Sequence, residues 1–213
     1  MKETILVTGG TGFIGSHTTV ELQNAGYEVV IADNLSNSKA DVIDGIEKIT
    51  GTRPAFEKVD LRDFDATEAL FKKYPRIRGI IHFAASKAVG ESVEKPLLYY
   101  RNNIVSLVNL LELMPSYDVK GIIFSSSCTV YGQPDVLPVT EESPIKKAES
   151  PYGNTKQINE EIIQDTVRSG APIKSIILRY FNPIGSHPSA IIGEMPNGVP
   201  QNLIPYLTQT AIG

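Results

Sequence analysis

Where an apolar stretch gives way to a helix in the later part of the chain, the run "SPYGNTK" (Ser150 to Lys156) puts a lysine four residues after a tyrosine. On a helix the two side chains share a face, with about 5–6 Å between their Cβ atoms. A free tyrosine, with a pKa of about 10, is a poor base at neutral pH. A neighbouring cation favours the phenolate and lowers the pKa by ~1–3 units, worth roughly 1.4 kcal/mol per unit. Lys156 is such a cation, and an oxidised nicotinamide would be another. Upstream, "FSSSCTVYG" (124–132) sets three hydroxyls in a row. Ser127, Tyr152 and Lys156 together suit the removal of a proton from a carbinol while hydride passes to a nicotinamide. Each signal has a plainer reading: an exposed helix pair worth a few tenths of a kcal/mol, and a polar strand end. The chemical reading gains its weight from a cofactor signal elsewhere.

That signal is "TGGTGFIGS" (8–16), where Gly10, Gly12 and Gly15 fit G-x-G-x-x-G, and Gly9, Gly12 and Gly15 fit G-x-x-G-x-x-G. Glycines there allow a tight turn and let backbone N–H groups approach a pyrophosphate at the positive end of the next helix. A glycine-rich turn alone is weak, but this one follows an apolar run and opens a helix. That helix keeps Ile14, Thr18, Leu22 and Ala25 in register and stops at Gly26. Asp33 ends the second apolar run, where a carboxylate accepts hydrogen bonds from the adenosine ribose and repels a 2′-phosphate, which favours NAD over NADP.

These residues need elements to hold them. Apolar, β-branched runs at 4–9, 27–33, 55–61, 79–85, 119–127 and 173–181 read as strands, and 13–25, 62–73, 97–114, 152–168 and 203–211 read as helices. The alternation predicts an α/β fold, a doubly wound parallel sheet of the dinucleotide-binding (Rossmann) kind. Ser150 suits the N-cap of the catalytic helix, and Pro151 its first position. "VDL" (59–61) and "HFAA" (82–85) end strands on the carboxyl edge, where ligands bind. From residue 182 the chain turns rich in proline and glycine, a long loop expected to be functional. Residues 1–181 read as the NAD-binding domain with the tyrosine and lysine, and 182–213 as the beginning of a substrate-binding region.

Bulk properties exclude several classes. A chain of 213 residues, 41% hydrophobic and 21% charged, is that of an ordinary globular protein. A net charge of −4 without a basic stripe speaks against binding nucleic acid. Neither a membrane span nor a secretory leader is legible, and Cys128 is the single cysteine, so the expected location is cytoplasmic. His17, His82 and His187 lie far apart in the sequence without ligand spacing, so no metal is expected.

The segments "TGGTGFIG", "SSSCTVYG" and "YGNTK" resemble the extended short-chain dehydrogenase/reductases. "HFAASKAVGESVEKPLLYYRNNI" (82–104) and "LRYFNPIGSHPS" (178–189) resemble the branch of that family that epimerises UDP-hexoses at C4. The resemblance implies interconversion of UDP-glucose and UDP-galactose through a 4-keto sugar, with NAD as cofactor. It implies that Phe13 and Ile14 lie against the pyrophosphate and that Asp33, Asn34, Leu35, Ser36, Asn37 and Ser38 surround the adenosine. Asp60 and Leu61 would meet the adenine, while Phe83, Ala84, Ala85, Lys87 and Asn102 line the cofactor. Ser127 would hydrogen-bond the hexose, Tyr152 would be the base, and Lys156 would hold the nicotinamide ribose and depress the tyrosine pKa. Phe181 would pack near the nicotinamide, and Asn182, Asn202 and Leu203 would touch the UDP-sugar. The resemblance also implies a longer chain and a homodimer formed through 97–114 and 152–168. Cys128 stands where a small residue is common and reads as packing.

Neighbouring activities remain open. A nucleotide-sugar dehydratase needs an acid/base pair after the strand-five hydroxyls, and Val130 and Tyr131 stand there instead. A nucleotide-sugar reductase would use the same residues. A protein of this fold that senses NAD without catalysis commonly lacks the tyrosine or the lysine, and both are present. A chain that binds NAD without turning over sugar is the remaining alternative.

Overall fold

The structure is a computed structural model that describes residues 3–195, 198, 200 and 202–212. Six strands form one parallel sheet in the order β3-β2-β1-β4-β5-β6. They are β1 (Thr4–Thr8), β2 (Glu28–Asp33), β3 (Ala55–Lys58), β4 (Ile77–His82), β5 (Gly121–Ser125) and β6 (Lys174–Leu178). All five neighbour pairings are parallel, so every carboxyl end lies on one edge. The helices are α1 (Phe13–Asn24), α2 (Val42–Thr50), α3 (Phe64–Lys73), α4 (Val89–Glu94), α5 (Pro96–Ser116), α6 (Pro151–Arg168) and α7 (Leu203–Ile212). No helix among the described residues is long and apolar enough to cross a membrane.

Alternation along the strands divides the core in two. Leu6, Val30, Ile80, Ile122 and Phe124 face one layer with Leu70 and Phe71 of α3, Leu107 and Leu110 of α5 and Ile163 of α6. Val7, Val29 and Ile31 face the other with Val20 of α1 and Ile46 of α2. Full burial of each such side chain stabilises by about 1.5–3 kcal/mol. The expected doubly wound sheet is therefore present.

Two differences from the sequence reading matter. Helix α2 was not expected, because Gly45 interrupts its apolar pattern; Ile43 and Ile46 nevertheless face inward, and Gly51 ends it in a left-handed turn with φ of 71°. Apart from β2, which stops at Asp33 as read, the strands end earlier than the apolar runs do, because residues beyond them leave the ladder for cross-connections at the carboxyl edge. Phe83 N donates to Thr8 O at 3.1 Å and Ser126 N to Leu178 O at 2.9 Å. The loop expected from residue 182 docks partway along. Ile192 is buried in the α1/α2 layer, and Ser186 and Gly193 form an isolated antiparallel bridge.

Candidate active site and dinucleotide edge

Strands β1 and β4 are neighbours although distant in sequence, so the strand order switches between them, where open α/β sheets bind ligands. The glycine turn sits at that switch. Gly9 has φ of +68°, and a Cβ there would lie 2.7 Å from Ala84 N. A Cβ on Gly15 would lie 2.3 Å from Gly9 O. Only bare backbone allows α1, the turn and the β4 exit to meet so closely. Gly12, the N-cap of α1, offers no side-chain cap to the first-turn N–H groups. Asp33 is buried and accepts from Thr11 N at 3.3 Å, Leu35 N at 2.9 Å and Ser38 Oγ at 3.3 Å. It thereby shapes the loop that carries Asn34 to Ser38.

Farther along the edge, Asp60 is forked by Arg62, with Nε to Oδ1 at 3.0 Å and Nη2 to Oδ2 at 2.5 Å, which holds its carboxyl below the usual range. Leu61 is buried, and its carbonyl accepts from Asn109 Nδ2 at 2.8 Å. The loop after β4 is locked by Asn103, whose amide pairs with both backbone groups of Ser86, at 2.8 and 3.0 Å. Asn102 Nδ2 donates to Ser86 Oγ at 3.0 Å. Phe83, Ala84, Ala85 and Lys87 ride on this loop.

The reaction side is built by α6 against the end of β5. Ser150 Oγ accepts from Gly153 N at 3.1 Å and Pro151 occupies the first turn, as the sequence indicates. Tyr152, Lys156 and Glu160 then follow one another on one helical face. The Lys156 ammonium is buried, donates to Ser125 O at 2.7 Å, and lies 4.9 Å from the Phe124 ring centroid and 5.7 Å from that of Tyr152. Burial pushes its pKa down to about 8, with the Glu160 carboxylate working the other way.

Tyr152 departs from the expectation that Lys156 depresses its pKa. Burial pushes it up to about 12, opposed only in part by its hydrogen bond with Ser127. The lysine head points into the carbonyl of Ser125 rather than at the phenol oxygen. A base at this position needs further positive charge brought beside it.

The structure thus brings Ser127, Tyr152 and Lys156 together, and gathers Gly9, Gly12, Phe13, Ile14, Gly15, Asp33, Asp60 and the β4 exit along the same edge. Phe181, Asn182 and Leu203 are exposed. Asn202 donates to Glu194 Oε1 at 2.5 Å, and Lys87 reaches the same oxygen at 3.4 Å, so the two residues meet through an acid that sequence reasoning passed over. His17 and His187, far apart in sequence, have ring centroids 6.4 Å apart because the docked loop returns to α1. His82, Asn103, Glu160 and Arg179 were also missed. Spacing gave a signal only for Glu160, four residues past Lys156 and eight past Tyr152.

The profile of the NAD dependent epimerase/dehydratase family matches residues 5–211. The chain is 54% identical over 216 residues to UDP-glucose 4-epimerase 2 of Arabidopsis thaliana, covering 100% of this chain and 61% of that protein. It is 51% identical over 209 residues to UDP-glucose 4-epimerase of Bacillus subtilis (strain 168), covering 98% and 61%. Among solved structures, UDP-glucose 4-epimerase from Bifidobacterium longum in complex with NAD+ and UDP superimposes with a TM-score of 0.95 at 47% identity, covering 99% of this chain and 62% of that one. The Stenotrophomonas maltophila UDP-glucose-4-epimerase with bound NAD and formylated UDP-arabinopyranose gives the same TM-score of 0.95 at 47% identity, covering 99% and 62%. The chain therefore spans 61% of the length of these curated relatives.

Proposed function

The chain belongs to the NAD dependent epimerase/dehydratase family, and from that premise we propose that the protein inverts C4 of a UDP-hexose, interconverting UDP-glucose and UDP-galactose with NAD as cofactor. One observation carries this reading: the face of α6 bearing Tyr152 and Lys156 lies against Ser127 at the edge that also holds the glycine turn and Asp33. The edge fits a dinucleotide, since the close contacts at Gly9 and Gly15 leave bare N–H groups for a diphosphate and Asp33 stands at the ribose position.

In this reading Phe13 and Ile14 hold the pyrophosphate, and Asp33 with Asn34 to Ser38 holds the adenosine. Asp60 and Leu61 meet the adenine, and Phe83, Ala84, Ala85, Lys87, Asn102 and Phe181 line the remainder. What NAD supplies when bound is a reversible hydride acceptor and a positive charge, so inversion proceeds without net oxidation. Tyr152 Oη accepts the proton of the C4 hydroxyl and returns it after the keto sugar has turned. Ser127 hydrogen-bonds the reacting oxygen. Lys156, with a pKa near 8, keeps its charge at pH 7 and holds the nicotinamide ribose, while the Tyr152 phenolate draws on the positive charge that bound NAD adds beside it. Asn182, Asn202 and Leu203 contact the UDP-sugar. We place the protein in the cytoplasm, as a homodimer through the outer faces of α5 and α6.

The test is conversion of UDP-galactose to UDP-glucose by the full-length protein, read by a coupled dehydrogenase. Tyr152→Phe should lower kcat by about 10²–10⁴-fold, the range of a general base, with NAD retained. A near-normal rate for that variant would remove Tyr152 from the chemistry. Net accumulation of reduced cofactor in step with sugar would instead favour a reductase.

A further inference from the structure

Three successive turns of α6 grip three consecutive serines at the end of β5. Tyr152 lies close enough to Ser127 for the hydroxyl to favour its phenolate, Lys156 pairs with the Ser125 carbonyl at 2.7 Å, and Glu160 with the Ser126 hydroxyl. The third grip is the one the reaction does not itself call for. Glu160 is 2% exposed and Ser126 1%. Both carboxylate oxygens of Glu160 also take the Arg179 guanidinium, Nη2 to Oε2 at 2.6 Å and Nε to Oε1 at 3.0 Å. Arg179 in turn donates to Tyr131 Oη at 3.2 Å and lies 5.1 Å from the centre of that ring. The exit of β6 is drawn into the same knot: Ser126 N donates to Leu178 O at 2.9 Å, Cys128 N to Tyr180 O at 3.1 Å, and the Ser125 and Tyr180 hydroxyls pair.

A buried carboxylate is retained at a cost unless it is fully paired, and this one is paired to the two strand exits that flank Tyr152 and Lys156. Resting on the assignment of Tyr152 and Lys156 as the reaction centre, we propose that Glu160 is a positioning residue for the epimerisation. By holding Ser126 and Arg179 at once, it fixes the register of Ser125, Ser127 and Lys156 against Tyr152. It also supplies the negative charge one turn from Lys156 that offsets burial of the ammonium.

The test uses the full-length protein with Glu160→Gln, Glu160→Asp and Ser126→Ala, each checked for folding by circular dichroism. Lys156 is titrated by carbon-13 NMR of ε-labelled lysine, a readout that needs no turnover. Glu160→Gln should move the Lys156 midpoint, and with it the alkaline limb of kcat, to lower pH by about one unit, and Glu160→Asp should restore most of that shift. Ser126→Ala keeps the charge, so its midpoint should stay put while kcat falls about tenfold with little change in KM, about 1.4 kcal/mol of transition-state positioning. An unmoved midpoint in folded Glu160→Gln overturns the proposal. Should Glu160→Gln not fold, a wild-type kcat in Ser126→Ala overturns it alone. Absence of epimerase activity in the unmodified protein would defeat the functional reading instead, while the lysine titration would still decide the electrostatic role of Glu160.

Discussion

His82 is buried at the carboxyl end of β4, bonded through Nδ1 to Thr8 Oγ1 at 2.7 Å and stacked on Phe124 with ring centroids 6.0 Å apart. Burial, aided by the Lys156 charge, pushes its pKa down to about 3. The unfolded chain, with an ordinary histidine pKa near 6.5, takes up a proton in this window that the folded state refuses. Stability is therefore intact above about pH 6.5 and falls as pH drops toward 3, at roughly 1.4 kcal/mol per unit from this group. Melting curves between pH 6.5 and 4 should show a shallower decline for His82→Gln than for the unmodified protein; equal slopes would contradict the assignment. At this scale the sequence displayed Ser127, Tyr152, Lys156 and Asp33, whose types and spacing are local. It did not display His82 or Arg179, because their partners Thr8 and Glu160 are joined to them only by the fold.

Helix α2 and the segment after β6 form a pair that spacing could not reveal. A Cβ on Gly45 would lie 3.0 Å from Ile192 Cγ2 and 3.2 Å from Ile191 Cγ2. The glycine that hid the helix from a periodicity reading is the seat on which the later segment rests. Just past that seat, Glu194 joins Lys87 to Asn202. Gly45→Val should lift the segment, costing about 1–3 kcal/mol by overpacking, which lowers the melting temperature by roughly 2–4 °C per kcal/mol. The KM for the UDP-sugar should rise while the Kd for NAD, measured by calorimetry, stays near that of the unmodified protein. A parallel loss of both affinities would show that the segment serves the whole edge. The six strands were legible as short apolar runs because a sheet covered on both faces writes itself that way. Their ends were less so: β2 stops at Asp33 as read, but Phe83, Ala84 and Ala85 keep the apolar character of β4 after leaving its ladder.

Over the whole molecule, α5 and α6 pack on one another through a buried polar seam. Asn103 Nδ2 donates to Thr155 Oγ1 at 3.1 Å and Asn159 Nδ2 to Asn103 O at 2.9 Å. Beside it Leu97 is 81% exposed and Val93 62%, apolar side chains on the outer surface of α4 and α5. The proposed homodimer would cover them. Sedimentation of the full-length protein should give a dimer, and Leu97→Glu should shift it to monomer with the Tyr152 site intact; an unchanged dimer would move the interface elsewhere. The all-parallel order has one more consequence, which concerns time rather than place. Each strand meets its neighbour only after a crossover, and β1 meets β4 across some seventy residues, Thr4 opposite Ile77, so much loop entropy is spent before any contact rewards it. The knot of Ser125, Ser126, Glu160 and Arg179 requires β5, α6 and β6 to be in place together. Catalytic competence should therefore be among the last properties to return on refolding, trailing the helical signal, while the unpaired edge of β6, with Ile176 and Leu178 exposed, offers itself to a wrong strand.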